Sequence, residues 1–224
     1  MNTPEQLVLA LGHEVSFARD DFLEGPSNAG ALALIERWPD WPARSIVLVG
    51  PEGSGKSHLA EIWVRKTGGR RLAAAALEQA AVPTVLAPGA VAVEDVAEGV
   101  DEIALFHLLN LAREQTAYVV LTAREAPVRR AFRLPDLASR LRALPVIELS
   151  APDDALLRAV LIKLFADRQL AVDESLIAYL TTRIERSFAA ARAVVALLDR
   201  EALRQQRPVT RSLAVELMPV IDGG

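Results

Sequence analysis

The sequence predicts an α/β fold, in which helices flank a parallel sheet and a small all-helical domain follows. Three observations lead to this prediction. Apolar segments of strand length alternate with helical segments through the first 150 residues, at 45–49, 89–93, 118–122 and 146–149. A glycine-rich loop follows the first of these strands at residues 50–57. Beyond residue 151 the pattern indicates helices only.

The helical segments are predicted from composition and amphipathic spacing. In the α/β part they cover residues 29–37, 57–67, 101–115 and 135–141. Four more follow near residues 154–168, 174–184, 187–205 and 210–217. The sequence therefore predicts three parts: an N-terminal tail (1–16), an α/β domain (17–150) and a helical domain (151–224) that would cover it as a lid.

The composition is typical of a folded globular protein, with 51% hydrophobic and 24% charged residues among 224. The absence of cysteine excludes disulfides and thiolate chemistry and is consistent with a reducing compartment. No apolar segment reaches the roughly 18 residues that cross a bilayer. We therefore expect a cytoplasmic protein that does not contact a membrane.

The net charge of −4 and a pI near 5.5 argue against a large basic face for DNA. Neutralisation of backbone phosphates supplies most non-specific affinity for nucleic acid, and it requires an excess of lysine and arginine. We therefore expect any contact with DNA to be indirect, through a partner protein.

Residues 50–57 fit the phosphate-loop pattern G-x-x-x-x-G-K-[ST] between a buried strand and a helix. The glycines allow backbone N–H groups to point at an anion, and the helix adds the positive end of its dipole. Lys56 is expected to reach the β- and γ-phosphates and Ser57 to bind Mg²⁺. The alternative is a glycine-rich turn that matches by chance. The cofactor-binding residues predicted here are Glu52, Gly53, Ser54, Gly55, Lys56, Ser57 and His58.

Three further residue groups suggest phosphoryl chemistry. Glu94 and Asp95 end a buried strand, where nucleotide sites lie, and we assign Glu94 to the metal and Asp95 to the attacking water. Thr122 ends the next strand and is a candidate beside the γ-phosphate. Arg140 precedes the last strand, where an arginine can reach a neighbouring subunit's site. Solvated acids, an ordinary strand threonine and a solvated arginine are the alternatives.

With these residues in place, the chain resembles the AAA+ ATPases of the DnaA/Hda family over nearly its whole length. Residues 22–28 resemble the family segment that surrounds adenine, which implies roles for Leu23 and Gly25. Residues 137–141 resemble its arginine-finger box, which contains Arg140. The phosphate loop alone is common to many families, whereas the combination of three segments is much more specific.

The resemblance also implies a docking peptide and a regulatory role. The tail is similar to the motif with which regulatory members dock on the β sliding clamp, and it would place Gln6, Leu7, Leu9 and Leu11 in a groove of the clamp. An edge strand on the protein's own sheet is the alternative. The chain ends after the lid, so we expect no DNA-binding domain of the kind the initiator carries.

In this family, a regulator with bound ADP, held on DNA-loaded clamp, presents its arginine finger to ATP-bound DnaA. The initiator then hydrolyses its ATP and loses activity, which limits initiation of DNA replication. For this chain we expect ADP or ATP, with Mg²⁺, as the ligand. The resemblance implies the same partners here, with homo-oligomers as an open possibility.

Departures from the family pattern favour a nucleotide-holding regulator over a vigorous ATPase. Glu94 and Asp95 stand in the reverse of the usual order, and Arg124 stands where the initiator carries a sensor I aspartate. In the lid, Arg192 lies one turn beyond the aligned sensor II position, and Arg186 is an open competitor. Two other functions remain as alternatives: a stand-alone P-loop NTPase or kinase, and a nucleotide-binding adaptor that does not stimulate hydrolysis.

Overall fold

A computed structural model of the protein describes residues 18–96 and 99–221. The predicted tail, with Gln6, Leu7, Leu9 and Leu11, lies outside the described residues. The strands are β1 Ser45–Val49, β2 Arg70–Ala73, β3 Ala90–Glu94, β4 Tyr118–Ala123 and β5 Val146–Glu148. The α-helices are α1 Ala29–Glu36, α2 Lys56–Thr67, α3 Val82–Leu86, α4 Glu102–Glu114, α5 Pro135–Arg142, α6 Asp154–Asp167, α7 Glu174–Arg183, α8 Phe188–Gln205 and α9 Arg211–Ile221.

The five strands form one sheet in the order β2-β3-β4-β1-β5, and every pairing is parallel. This confirms the predicted parallel sheet flanked by helices. Because all strands run in one direction, the segments that follow them meet at a single edge of the sheet. The edge strand β2 was not predicted, since Arg70 and Arg71 are exposed and give it no apolar pattern.

Hydrophobic residues cover both faces of the sheet, which is why β1, β3 and β4 are buried almost throughout. On one face the core includes Leu105 and Leu121, which are at most 1% exposed. On the other face Leu32 and Trp63 pack against Ile46. The central strands therefore hold the loops at their carboxyl ends on a rigid base.

Helices α6 to α9 enclose a separate hydrophobic cluster around Leu161, Phe165 and Leu180. Side-chain caps set where these helices begin: the Asp153 carboxylate accepts from the Leu156 N–H at 2.8 Å, and the Ser187 hydroxyl accepts from the Ala190 N–H at 3.0 Å. The boundary at residue 150 stays a prediction. Within the described ranges, no helix is long and apolar enough to cross a membrane.

Candidate nucleotide-binding site

The loop that connects β1 to α2 has the backbone shape that its glycines allow. Gly53 and Gly55 lie in the left-handed region, with φ of 71° and 101°. Helix α2 begins directly after them, at Lys56, and its first N–H groups are free of intrahelical partners. This end of the helix therefore favours an anion next to the loop.

The Lys56 side chain folds over the loop and is only 6% exposed. Its Nζ donates to the carbonyl oxygens of Gly50 at 2.8 Å and of Pro51 at 2.7 Å. Burial lowers the pKa of Lys56 from its ordinary value, while the negative charge of Asp95 acts in the opposite direction. The ammonium group is thus fixed at the centre of the loop, where the phosphates of a nucleotide would accept hydrogen bonds from it.

A cavity of about 520 Å³ opens above the loop, between the α/β part and the lid. Leu23 contributes to its wall from the segment before α1, and Arg192 contributes from α8. Predicted residues of the loop region that line it are Glu52, Gly53, Gly55, Lys56, Ser57 and His58. The motif and the lid prediction thus converge on one cavity.

Two predicted cofactor residues support the cavity from behind instead of lining it. Ser54 is 1% exposed, and its hydroxyl lies 3.5 Å from the Lys56 ammonium. A Cβ atom on Gly25 would lie 2.8 Å from the Cδ2 atom of Leu156 in α6. Gly25 therefore lets the lid approach the segment before α1.

The start of α8 packs directly on the phosphate loop. The Phe188 N–H donates to the Gly53 carbonyl at 2.9 Å, and a Cβ atom on Gly53 would lie 2.7 Å from the Ser187 Cβ atom. The rings of Phe22 and Phe188 both approach the Cα of Gly55, within 3.5 Å of where a Cβ would stand. Phe188 was not predicted. The only local signal was the helix-capping serine before it.

The two adjacent carboxylates that follow β3 face different surroundings. Asp95 lines the cavity, and its N–H donates to the Thr122 hydroxyl at 3.0 Å. Glu94 is paired instead with Arg71 of β2, at 2.8 Å, and is not among the cavity residues. Thr122 is 1% exposed and positions the Asp95 backbone. The catalytic roles of Asp95 and Thr122, and the metal role of Glu94, stay predictions.

The residues at the loop fit a magnesium ion that is bound together with phosphate. Ser57 and Asp95 both line the cavity and supply a hydroxyl and a carboxylate. Mg²⁺ is usually held by one or two such groups, with water and substrate phosphates completing its shell. In the described part of the chain, no cluster of three or more acidic, histidine or cysteine side chains could hold a metal by itself. A metal here would therefore depend on the nucleotide.

The two candidate arginines of the lid, Arg192 and Arg186, lie in different surroundings. Arg192 lines the cavity, and burial lowers the pKa of its guanidinium. Arg186 is exposed and paired with Asp154 at 2.8 Å, outside the cavity wall. Arg192 is thus the one that faces the loop.

Arg140 lies away from the cavity above the phosphate loop. It lines a groove of about 700 Å³ together with Ser45, the first residue of β1, and Arg113, near the end of α4. Its guanidinium carbon stands 5.5 Å from the centre of the Phe106 ring. Among the described residues it makes no ion pair. Because β1 is five residues long, about 16 Å of strand separates this groove from the phosphate loop.

Comparison with solved structures shows the class of fold. Domain III of the replication initiation protein DnaA from Thermotoga maritima superposes with a TM-score of 0.76 at 15% identity, over 90% of this chain and 95% of that one. AMPPCP-bound DnaA from Aquifex aeolicus gives 0.66 at 17% identity, over 85% and 69%. The Holliday junction branch migration motor RuvB from Thermotoga maritima gives 0.71 at 14% identity, over 92% and 72%.

This protein therefore has the AAA+ fold that it shares with these structures. No protein-family model matches the sequence, and no curated protein matches it significantly.

Proposed function

We propose that this protein is a DnaA-related AAA+ regulator of the Hda type, which binds adenine nucleotide and promotes ATP hydrolysis by the initiator DnaA. One observation carries the proposal: Arg140, which forms no ion pair with any residue that the structure describes, and the phosphate loop lie at opposite ends of β1. An arginine side chain cannot span that distance. Arg140 is therefore suited to the nucleotide of another molecule.

The chain's own nucleotide would lie in the cavity between the α/β part and the lid. Lys56 and the loop N–H groups bind the phosphates, and Arg192 adds a positive charge from α8. The adenine lies against Leu23 and the aromatic rings of Phe22 and Phe188. Mg²⁺, held by Ser57 and Asp95 together with the phosphates, would neutralise part of their charge. Bound nucleotide thus joins the lid to the loop.

Arg140 would act in trans, on ATP bound to DnaA. Stabilisation of the charge that develops on the transferred phosphoryl group by such an arginine is worth about 10³ to 10⁵ in rate. Phe106 holds the guanidinium at the groove before the partner arrives. Regulation then depends on contact between the two proteins.

The tail completes the proposal, because it would dock on the β sliding clamp through Gln6, Leu7, Leu9 and Leu11. DNA would then be reached only through the clamp, and the protein would act in the cytoplasm. Homo-oligomers are compatible with the same two surfaces, since the groove of one copy can face the cavity of the next.

The test has two stages. Calorimetry with ADP and with ATP must first detect binding to the wild-type protein. Hydrolysis of ATP by DnaA is then measured with clamp-loaded DNA and wild type, Gln6→Ala, Arg140→Ala or Arg142→Ala. Arg142 lies on the same helix outside the groove and serves as the control.

We expect Gln6→Ala and Arg140→Ala to abolish stimulation and Arg142→Ala to retain it. Clamp binding, measured separately, should be lost only in Gln6→Ala. Stimulation that survives Arg140→Ala would show that Arg140 is not the arginine finger. Wild-type protein that binds nucleotide and clamp but leaves hydrolysis by DnaA unchanged would be an adaptor that does not stimulate hydrolysis.

A further inference from the structure

An ion pair stands at the mouth of the cavity, between the phosphate loop and the end of β4. The Nη2 atom of Arg124 lies 2.7 Å from the Oε2 atom of Glu52, and both residues line the cavity. Arg124 directly follows the last residue of β4, Ala123, whose carbonyl accepts from the Gly50 N–H at 3.2 Å. The strand end and the start of the loop are therefore bound to each other, which fixes the base of the Arg124 side chain beside the loop.

Both charges of this ion pair act on the ammonium group of Lys56. Arg124 disfavours and Glu52 favours the charged form of the Lys56 ammonium, and the pKa of Lys56 is lowered overall because burial outweighs the carboxylates. Lysine at this loop position reaches the terminal phosphates of a nucleotide. The Arg124 guanidinium and the Glu52 carboxylate therefore stand within electrostatic range of those phosphates.

Arg124 can readily leave Glu52 for an anion that binds it more strongly. The side chains of Arg124 and Glu52 are 67% and 71% exposed, and ion pairs between exposed side chains contribute about 0–1 kcal/mol. A phosphate group offers more negative charge than a carboxylate and oxygens that match the guanidinium fork. A terminal phosphate in the cavity would thus compete with Glu52 for Arg124.

We propose that Arg124 leaves Glu52 to bind the terminal phosphate of a nucleoside triphosphate, and that the Glu52 carboxylate opposes this binding. The proposal rests on the proposed nucleotide site and names the residues that select the number of phosphates. Arg124 stabilises the third phosphate, and Glu52 disfavours it by repulsion and by competition for the guanidinium. The balance between these two residues sets how well the site distinguishes di- from triphosphate.

Calorimetry with Mg²⁺ and either ADP or the β,γ-methylene analogue of ATP tests this assignment. The analogue prevents hydrolysis during the titration. Because one hydrogen-bonded contact between charged groups is lost, Arg124→Ala should weaken the analogue about 10- to 100-fold. Its effect on ADP should stay below about threefold. Glu52→Gln should strengthen binding of the analogue and change ADP less.

Matched controls come from the same segment. Arg129→Ala and Glu125→Gln remove an arginine and a carboxylate that follow β4 outside the cavity wall, and neither should change the affinity for either ligand. Wild-type protein that binds neither ligand would overturn both this assignment and the proposed function. Wild-type protein that binds both, with Arg124→Ala either silent or equally harmful to both ligands, would overturn this assignment alone.

Discussion

The two ends of β1 carry positive charge in two different ways. At the carboxyl end, Lys56 is 6% exposed and its ammonium group donates to two carbonyls of its own loop. At the amino end, Arg140 is half-buried, stacked on Phe106 and, within the described residues, without an ion pair. The first end is complete within one chain. At the second end, Asp136 shares the groove but forms no ion pair with Arg140 among the described residues, so the guanidinium is available to an anion of another molecule.

This contrast also extends to the surroundings of each site. The loop is covered by α8, whose residue Phe188 donates to Gly53, and by the segment before α1. The groove around Arg140 is formed by the α/β part alone and also contains Arg44, Arg113 and the carboxylate of Asp136. Changes at the loop should therefore affect the chain's own ligand and stability, whereas changes at the groove should affect only what the chain does to a partner.

The largest effect is expected from Lys56→Ala at the loop end. Loss of the ammonium group that is proposed to bind the β-phosphate, and that also donates to two carbonyls of the loop, should weaken ADP binding about a thousandfold, or ~4 kcal/mol. The measurement is calorimetry, with Lys66→Ala in the last turn of the same helix as the control, since that residue is exposed and outside the cavity. Equal affinities for wild type and Lys56→Ala would mean that nucleotide does not bind at this loop.

The second largest effect is expected on the free energy of unfolding, where two glycine variants distinguish backbone strain from the contact between lid and loop. Gly53→Ala places a Cβ atom 2.7 Å from Ser187 in a left-handed backbone, whereas Gly68→Ala meets the same kind of backbone with no atom within 4 Å. Gly68→Ala should lower the free energy of unfolding by about 1 kcal/mol. Gly53→Ala should lower it by about 2–3 kcal/mol, because the lid must also shift. Urea unfolding of both variants measures the difference, and equal losses would show that the lid does not press on the loop.

The same contrast explains what could be predicted from sequence. Strands β1, β3 and β4 are apolar on both faces because helices cover both sides of the sheet, so their sequences predict them without knowledge of the fold. The edge strand β2 pairs on one side only and carries exposed arginines, so it has no such pattern. The phosphate loop is encoded by consecutive residues, and its motif therefore predicts it.

Side-chain direction could not be predicted at the ends of strands. Glu94 and Asp95 are neighbours in sequence, yet Glu94 pairs with Arg71 and Asp95 lines the cavity. Phe188 reaches the loop because the start of α8 packs on Gly53, a contact that no local pattern reports. Contacts between distant segments decide such positions, and the sequence pattern within one segment does not contain them.

A smaller effect is expected at the groove end from Phe106→Ala. Loss of the ring beneath the Arg140 guanidinium should reduce the proposed stimulation of DnaA about tenfold, because a cation on a partly desolvated ring is worth about 1–2 kcal/mol. Calorimetry should give an unchanged affinity for ADP. Ile103→Ala, an exposed apolar residue on the same helix, is the control. A loss of nucleotide affinity in Phe106→Ala would mean that the two ends of β1 are not independent.

The smallest effect concerns His58, beside the loop, whose Nε2 atom lies 3.0 Å from the Ala18 carbonyl and whose ring meets Phe22 edge-on. Burial lowers its pKa from the ordinary 6.5, so the unfolded chain takes up a proton at a higher pH than the folded chain does. The free energy of unfolding should therefore be unaffected by this residue above about pH 6.5 and should fall as the pH drops toward the lower pKa of the folded state. Urea unfolding between pH 5 and 8 should show a shallower dependence in His58→Gln than in wild type or in His107→Gln, which lies outside the cavity. Identical profiles for all three proteins would mean that the surroundings of His58 accept a charged imidazole as readily as water does. The contrast between the two ends of β1 would then depend on Lys56 and Arg140 alone.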